Sequence, residues 1–364
     1  MISLDRGLLG KGISGDVLLR HQKYADLAGT LDIIVFASGE YERIKPSQNL
    51  EIIPTRSAKR RHFHNAFEIA VGLAKQQHYD LLVTQEFAAP VGEKIKIKLS
   101  LPWIVNIHSM FFDKQWLRLS PLNWYLFYRI KKAILQADGF RVNNEEIKNK
   151  LLSWEIKKPI WVQPTPVDIS KFKPPHPLPL PLKAEREGKR ILYVGRLSTE
   201  KNAAMLIRAI KDINGDLELN IIGKGPEEEK LKKLAEGDAR IKFLGTKTHE
   251  ELIPIYQSAD VFVLPSNTES YGKVLIEAGA AGCALIATRT PGARSIIADG
   301  KSGLLVSVGD EEGLREAIEK LIKVRELRES LAKGAQEMRE RFDLDRAFED
   351  TVKFWKKIAS LRSQ

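Results

Sequence analysis

The sequence predicts an α/β protein of two Rossmann-like, doubly wound domains. Three observations carry this. Short apolar runs alternate with amphipathic stretches in both halves, the pattern of parallel strands joined by helical crossovers. Eight prolines fall between Pro159 and Pro181, where fixed φ and missing donors oppose regular structure. The 364 residues, 43% hydrophobic and 29% charged, suffice for two cores of ordinary size. The expected division is a first domain over 1–170, a linker over 171–188, a second domain over 189–340 and a closing helix in 341–364.

In the first half the candidate strands are Leu31–Ala37, Leu81–Thr84, Trp103–Ile107 and Gly139–Val142, with helices between them such as Ala66–Gln77 and Leu122–Gln136. Met1–Asp5 reads as a short strand. The second half alternates more plainly. Strands are expected at Arg190–Val194, Leu217–Ile222, Ile241–Leu244, Val261–Leu264, Ala284–Ala287 and Gly303–Val306. Helices are expected at Ala203–Asp212, Glu227–Glu236, Thr248–Ser258, Gly272–Ala281 and Glu311–Lys323. Thr248 and Glu251 have the spacing of a capping box. Phe348, Val352, Trp355 and Ala359 share one face of a last helix, which needs a partner surface.

The net charge is +11, and residues 1–180 hold 26 Lys and Arg against 17 Asp and Glu. Two readings fit this basic first half: an anionic partner, such as a phospholipid surface or a phosphorylated acceptor, or a solvated basic surface. Trp116, Trp124, Tyr125, Phe127 and Tyr128 intermingle with Arg118, Arg129, Lys131 and Lys132, which suits a helix lying on an anionic membrane or one packed on the core. Arg56, Lys59, Arg60, Arg61, His62 and His64 add basic charge nearby in sequence. Neither a matching fold nor a base-stacking platform is apparent, so nucleic acid is not an expected partner. One cysteine, Cys283, excludes a disulfide framework, and no export signal or membrane-spanning run is visible, which predicts a cytoplasmic chain.

The segment richest in chemistry is Pro265–Gly282, where a strand ends, a loop follows and a helix begins near Gly272. Ligands of such sheets bind beyond the carboxyl ends of strands. Backbone amides of Tyr271, Gly272 and Lys273 are expected to point outward at the helix start, a place suited to phosphate. Glu269 and Glu277 flank it, and carboxylates can hold vicinal hydroxyls, one those of a sugar and the other those of a ribose. Equally, Glu269 can cap the helix and Glu277 can be a buried, paired acid. Gly195-Arg196 and Lys201-Asn202 put two cations at another strand end, where they could neutralise a diphosphate. Gly223-Lys-Gly225-Pro226 is a tight turn after the next strand, and Lys247 follows a strand end where a base could lie.

Taken together in this order, Gly195-Arg196, Lys201-Asn202, Gly223–Pro226, Phe243–Gly245, Ala259-Asp260, Pro265-Ser266, Glu269–Glu277 and Gly303–Val306 resemble glycosyltransferase family 4. The resemblance is good over 190–325 and loose in the first half. It implies the GT-B arrangement, two Rossmann-like domains facing a cleft, with the last helix crossing back to the first domain. It implies a retaining transferase that uses a nucleotide-diphosphate sugar as co-substrate, with no other cofactor and no metal. Arg196 and Lys201 would hold the donor diphosphate, Glu269 the transferred sugar and Glu277 the ribose, with amides from Ser270 to Val274 on sugar and phosphate. His108, at the end of Val105–His108, resembles the family's sugar-contacting histidine, although a satisfied polar residue at a strand end reads the same way. Gly10-x-Gly12-x-x-Gly15 resembles the first glycine-rich loop, which faces donor and acceptor. The acceptor would be a sugar, a lipid-linked sugar or another hydroxyl compound, in glycan or glycolipid synthesis. This chain departs from the family pattern at Ser270-Tyr271, Gly279 and Arg294-Ser295.

Two rival enzymes and a binder stand against this reading. Gly10, Gly12 and Gly15 also match a dinucleotide fingerprint, with Glu40 as ribose acid of an NAD-dependent dehydrogenase, but Arg6–Leu9 separate the strand from the first glycine. An epimerase of the same fold would consume donor without acceptor. A non-enzymatic binder would have no use for the cation and carboxylate set. Asp343 and Asp345 have the spacing of an acidic metal pair, yet acids at a helix start also complement its dipole.

Overall fold

A computed structural model describes residues 1–9, 17–112, 114–118, 120–164, 166–169, 172, 188–337 and 344–362. Gly12, Gly15, Asp343 and most of the proline-rich stretch lie outside the described residues. The chain divides into two compact units, Met1–Thr165 with Asp345–Gln364, and Pro166–Leu344.

The first unit is built on an eight-stranded sheet of order β3-β4-β2-β1-β5-β6-β7-β8. Its strands are β1 (Ile2–Ser3), β2 (Leu31–Val35), β3 (Ile44–Ser47), β4 (Leu50–Pro54), β5 (Leu82–Gln85), β6 (Trp103–Ile107), β7 (Gly139–Val142) and β8 (Ile160–Val162). All neighbours run parallel except the β3–β4 pair. The helices are α1 (Val17–Ala28), α2 (His62–Ala74), α3 (Ala89–Leu99), α4 (Lys114–Arg118), α5 (Pro121–Ile134) and α6 (Glu145–Leu152). The central strands β2, β6 and β7 are buried along their whole length, as expected of parallel strands covered on both faces.

The second unit has six parallel strands in the order β11-β10-β9-β12-β13-β14. They are β9 (Lys189–Val194), β10 (Leu217–Ile222), β11 (Ile241–Phe243), β12 (Val261–Leu264), β13 (Ala284–Thr288) and β14 (Leu304–Val306). Their helices are α7 (Ala203–Lys211), α8 (Glu228–Ala235), α9 (His249–Ser258), α10 (Lys273–Ala280), α11 (Pro291–Ile296), α12 (Glu311–Lys323) and α13 (Arg325–Glu337). One face of this sheet packs Met205, Leu206, Ile210, Leu314 and Ile318. The other packs Phe172, Tyr256, Leu275, Ile276 and Ile296. The capping box at α9 is present, with the Thr248 hydroxyl and the Glu251 carboxylate each accepting from the other's backbone.

The last helix, α14 (Leu344–Ala359), lays its apolar face on the first unit. Phe348 meets Tyr24 edge-on at 4.9 Å between ring centres, Trp355 lies 5.2 Å from the same ring, and Phe354 packs on Trp161. At Gly139 an added Cβ would lie 2.9 Å from the Ile358 side chain, so α14 packs closely on this strand. Asp345 pairs with Lys23 of α1.

Candidate donor site

The strand order places β9 beside β12, with the chain leaving the two strands toward opposite edges of the sheet. That reversal of direction is the usual ligand position of an open α/β sheet. The loop after β9 is held by local bonds. The Tyr193 hydroxyl donates to the Arg196 carbonyl at 3.0 Å, and the amides of Lys201 and Asn202 both donate to the Ser198 carbonyl. Asn202 then takes the left-handed conformation (φ 48°) that caps α7. Asn267, in the loop after β12, stitches the two loops together. Its amide donates to the Glu200 carbonyl at 2.8 Å, and its side-chain amide donates to the Thr199 carbonyl at 3.0 Å.

This stitching brings Lys201 and Glu269 into direct contact, Nζ to Oε2 at 2.6 Å, with side chains 23% and 13% exposed. The Arg196 guanidinium is exposed and has no partner among the described residues. Gly272 caps α10 at φ 82°, a conformation that favours glycine, and Glu269 lies against it. Tyr271 departs from expectation: its amide turns back on Glu269 Oε1 at 3.4 Å, a short carboxylate-to-backbone closure that opposes its pointing outward. Its ring is buried, Ser270, Lys273 and Val274 are half-buried, and Gly272 is buried. A helix start suits an anion.

Glu277 stands on α10 and accepts from the Tyr256 hydroxyl of α9 at 3.0 Å. Gly223 and Gly225, after β10, press against the β9 loop: Cβ atoms there would lie 1.9 Å from the Gly195 carbonyl oxygen and 2.1 Å from that of Leu197. Lys247 pairs with Glu251 at 3.7 Å, one helical turn on. Gly292, which the sequence did not single out, seals the loop from the other side, its amide donating to the Glu269 carbonyl at 2.7 Å.

On the first unit His108 follows β6 and is half-buried. Loss of hydration holds its imidazole down to about 3; the Arg141 guanidinium acts in the same direction, against a hydrogen bond with Asn143. Glu86, unnoticed in the sequence, organises this turn. Its buried carboxylate accepts from the amides of His108 and Ser109, both at 3.2 Å, and from the Ser109 hydroxyl at 2.6 Å. Burial pushes the Glu86 carboxyl up, and those donors pull against it. His21 is likewise held down, to about 4, by burial.

A pH dependence follows. Below about pH 6.5 the unfolded chain protonates these histidines while the native chain does not, so stability falls with acid until about pH 4. Each contributes at most about 1.4 kcal/mol per pH unit in that window. Urea midpoints measured from pH 7 to pH 4 should fall less steeply for His108→Asn than for the parent. Parallel curves would contradict the neutral state of His108.

Residues 181–338 match the family described as Glycosyl transferases group 1, and residues 27–171 match Glycosyltransferase Family 4. A D-inositol 3-phosphate glycosyltransferase of Corynebacterium urealyticum is 32% identical over 96% of this chain and 88% of its own length. The chain belongs to glycosyltransferase family 4. It is therefore a glycosyltransferase of the group 1 type, and the dehydrogenase reading falls. Consistent with that, β2 ends at Val35 and leaves Glu40 in a loop. The sulfoquinovosyl transferase of Arabidopsis thaliana is 31% identical over 63% of this chain, which spans 44% of that relative's length. Anabaena Alr3699/HepE in complex with UDP-glucose superposes with a TM-score of 0.75 at 17% identity, covering 100% of this chain and 98% of that one, and shares the GT-B fold. Among the described residues no group of three His, Cys, Asp or Glu is placed to hold a metal ion.

Proposed function

We propose that this glycosyltransferase moves a sugar, with retention, from a nucleoside diphosphate donor to a hydroxyl of a glycan or lipid-linked acceptor. The observation that carries the reading is the Lys201–Glu269 contact where the β9 and β12 loops meet, beside an exposed Arg196. As the bond from the anomeric carbon to phosphate oxygen breaks, positive charge spreads over the sugar ring and negative charge gathers on the diphosphate. Arg196, Lys201 and the start of α10 stabilise that charge. The acceptor oxygen bonds to the same face, and its proton passes to the departing phosphate oxygen. Glu269 holds sugar hydroxyls and Glu277 holds the ribose. His108, neutral at pH 7, serves the sugar as a hydrogen-bonding group.

The family resemblance supports an active site without metal, and UDP-glucose in the HepE complex supports a nucleotide-sugar donor. The test is transfer from a panel of UDP-, GDP- and ADP-sugars, in chelator, to sugar and glycolipid acceptors, with product configuration read by NMR. Retained configuration is expected. An inverted product would overturn the mechanism, and inactivity with every donor would overturn the reaction.

A membrane-facing acceptor fits the first unit. An open cavity of ≈ 720 Å³ at the ends of β2 and β4 is lined by Ser38, Glu40, Tyr41, Glu42, Arg56 and Ser57, beside the basic run Lys59–Arg61. His62 adds no charge there. It is buried between Phe36 and the hydroxyls of Thr55 and Ser57, and desolvation holds its imidazole below the ordinary range. On α5, Trp124, Tyr125 and Tyr128 are 56%, 55% and 62% exposed, whereas Phe127 packs inward on Trp154 and Trp116 on Phe87. Residues 114–136 contain no acid, and Arg118, Arg129 and Lys132 are exposed beside the aromatic face. No helix among the described residues is long and apolar enough to cross a membrane, so α5 would lie on an anionic cytoplasmic surface rather than span it. Cosedimentation with phosphatidylglycerol vesicles at low salt should be strong for the parent and lost in Trp124→Ala/Tyr128→Ala/Lys132→Glu. Equal sedimentation of both would discard this face.

A further inference from the structure

Tyr256 is wholly buried on α9, yet its only polar side-chain atom is spent on a residue of the donor site. Its hydroxyl donates to Glu277 Oε2 at 3.0 Å, across from α9 to α10. The ring cannot swing. Phe172 meets it edge-on at 5.7 Å, Phe262 lies 5.8 Å away on β12, and its own carbonyl accepts the Cys283 thiol at 3.1 Å. Burial and the facing Glu277 carboxylate hold the phenol well above its ordinary range, so it keeps its proton and remains a donor. A glutamate carboxylate on a helix turns about several bonds, and a fixed hydroxyl on one oxygen selects a single orientation.

We propose that Tyr256 is a positioning residue for ribose recognition: it aims the Glu277 carboxylate at the vicinal hydroxyls of a ribonucleoside diphosphate. This rests on Glu277 being the ribose ligand. A carboxylate aimed in advance binds a diol without losing rotamer freedom on binding, and supporting shells of this kind set how tightly a site holds its ligand. The role is selective. Tyr256 touches neither phosphate nor base in this proposal, so a nucleotide lacking ribose hydroxyls should be indifferent to it.

The experiment measures affinity by calorimetry for UDP, GDP and ADP, takes the one that binds, and compares it with its 2′,3′-dideoxy analogue. Tyr256→Phe should weaken the ribonucleotide by about ten-fold, the size of one lost bond to a charged group, and leave the dideoxy analogue unchanged. In Glu277→Gln the same Tyr256→Phe change should add little. Equal weakening of both nucleotides, or an undiminished effect in the Glu277→Gln background, would overturn the proposal. Should Tyr256→Phe not fold, Phe172→Leu loosens the ring while keeping the hydroxyl, and should again penalise the ribonucleotide alone; equal loss on both nucleotides would be fatal. Failure of the parent to bind any of the three nucleotides would instead sink the donor-site reading itself.

Discussion

Lys201→Ala and Glu269→Ala should each lower kcat/KM by about 10²–10³-fold, and the double variant should be scarcely worse than either one. The reason is the contact between them. At 2.6 Å, with both side chains largely covered, each charge is compensated by the other. Removing Lys201 takes a cation from the proposed leaving-group site and strands a half-buried carboxylate. Removing Glu269 takes away the proposed sugar ligand and frees the lysine to leave its place. Loss of either partner therefore disables both, and the cycle should show strong coupling. Arg196→Ala should behave differently. Its guanidinium has no partner among the described residues, so its penalty, also near 10²-fold, should add to that of Lys201→Ala. Steady-state kinetics on the three single variants and the two doubles decide this. Full additivity of Lys201→Ala with Glu269→Ala would mean that the ion pair is incidental to turnover.

The second unit was nearly legible from the sequence because each strand is a short apolar run bounded by a turn residue, and every strand boundary there falls within one residue of expectation. The first unit was harder. The β3–β4 hairpin was missed because Lys45 and Pro46 break its apolar pattern; β3 is an edge strand, where a missing proline donor costs no ladder bond. The site shows the same contrast. Glycines and charged residues at strand ends announce themselves by type and spacing. Glu86 and Tyr256 do not, since a lone glutamate after β5 and a tyrosine 21 residues before Glu277 acquire meaning only when packing sets them against His108 and Glu277. His62 shows the converse: it counts as basic in the sequence, but its imidazole is held below the ordinary range by burial, with the Arg6 and Lys59 cations acting the same way.

The largest effect on stability is expected at Gly223. Two second-unit glycines have nearly the same positive φ, Gly215 at 139° and Gly223 at 137°. Alanine at either meets the strain of a positive φ, of order 1–3 kcal/mol. Their surroundings differ. At Gly215 nothing lies within 4 Å of an added Cβ, whereas at Gly223 the Gly195 carbonyl oxygen lies 1.9 Å away. That oxygen cannot yield, because the Gly195 amide is bonded to the Ile222 carbonyl at 3.0 Å and the Gly223 amide to the Gly245 carbonyl at 2.8 Å. Gly223→Ala must therefore prise the β10 turn from the β9 loop, at a cost above about 4 kcal/mol. For a domain of this size that corresponds to a Tm lower by roughly 10 °C or more. Because Arg196 and Lys201 sit on the displaced loop, nucleotide binding should fall with it. Gly215→Ala should lose only the strain term and keep its affinity. Thermal melts and nucleotide titrations of the two variants compare backbone strain with steric exclusion directly, and equal losses at both positions would show that close approach of the two loops is not what glycine 223 provides.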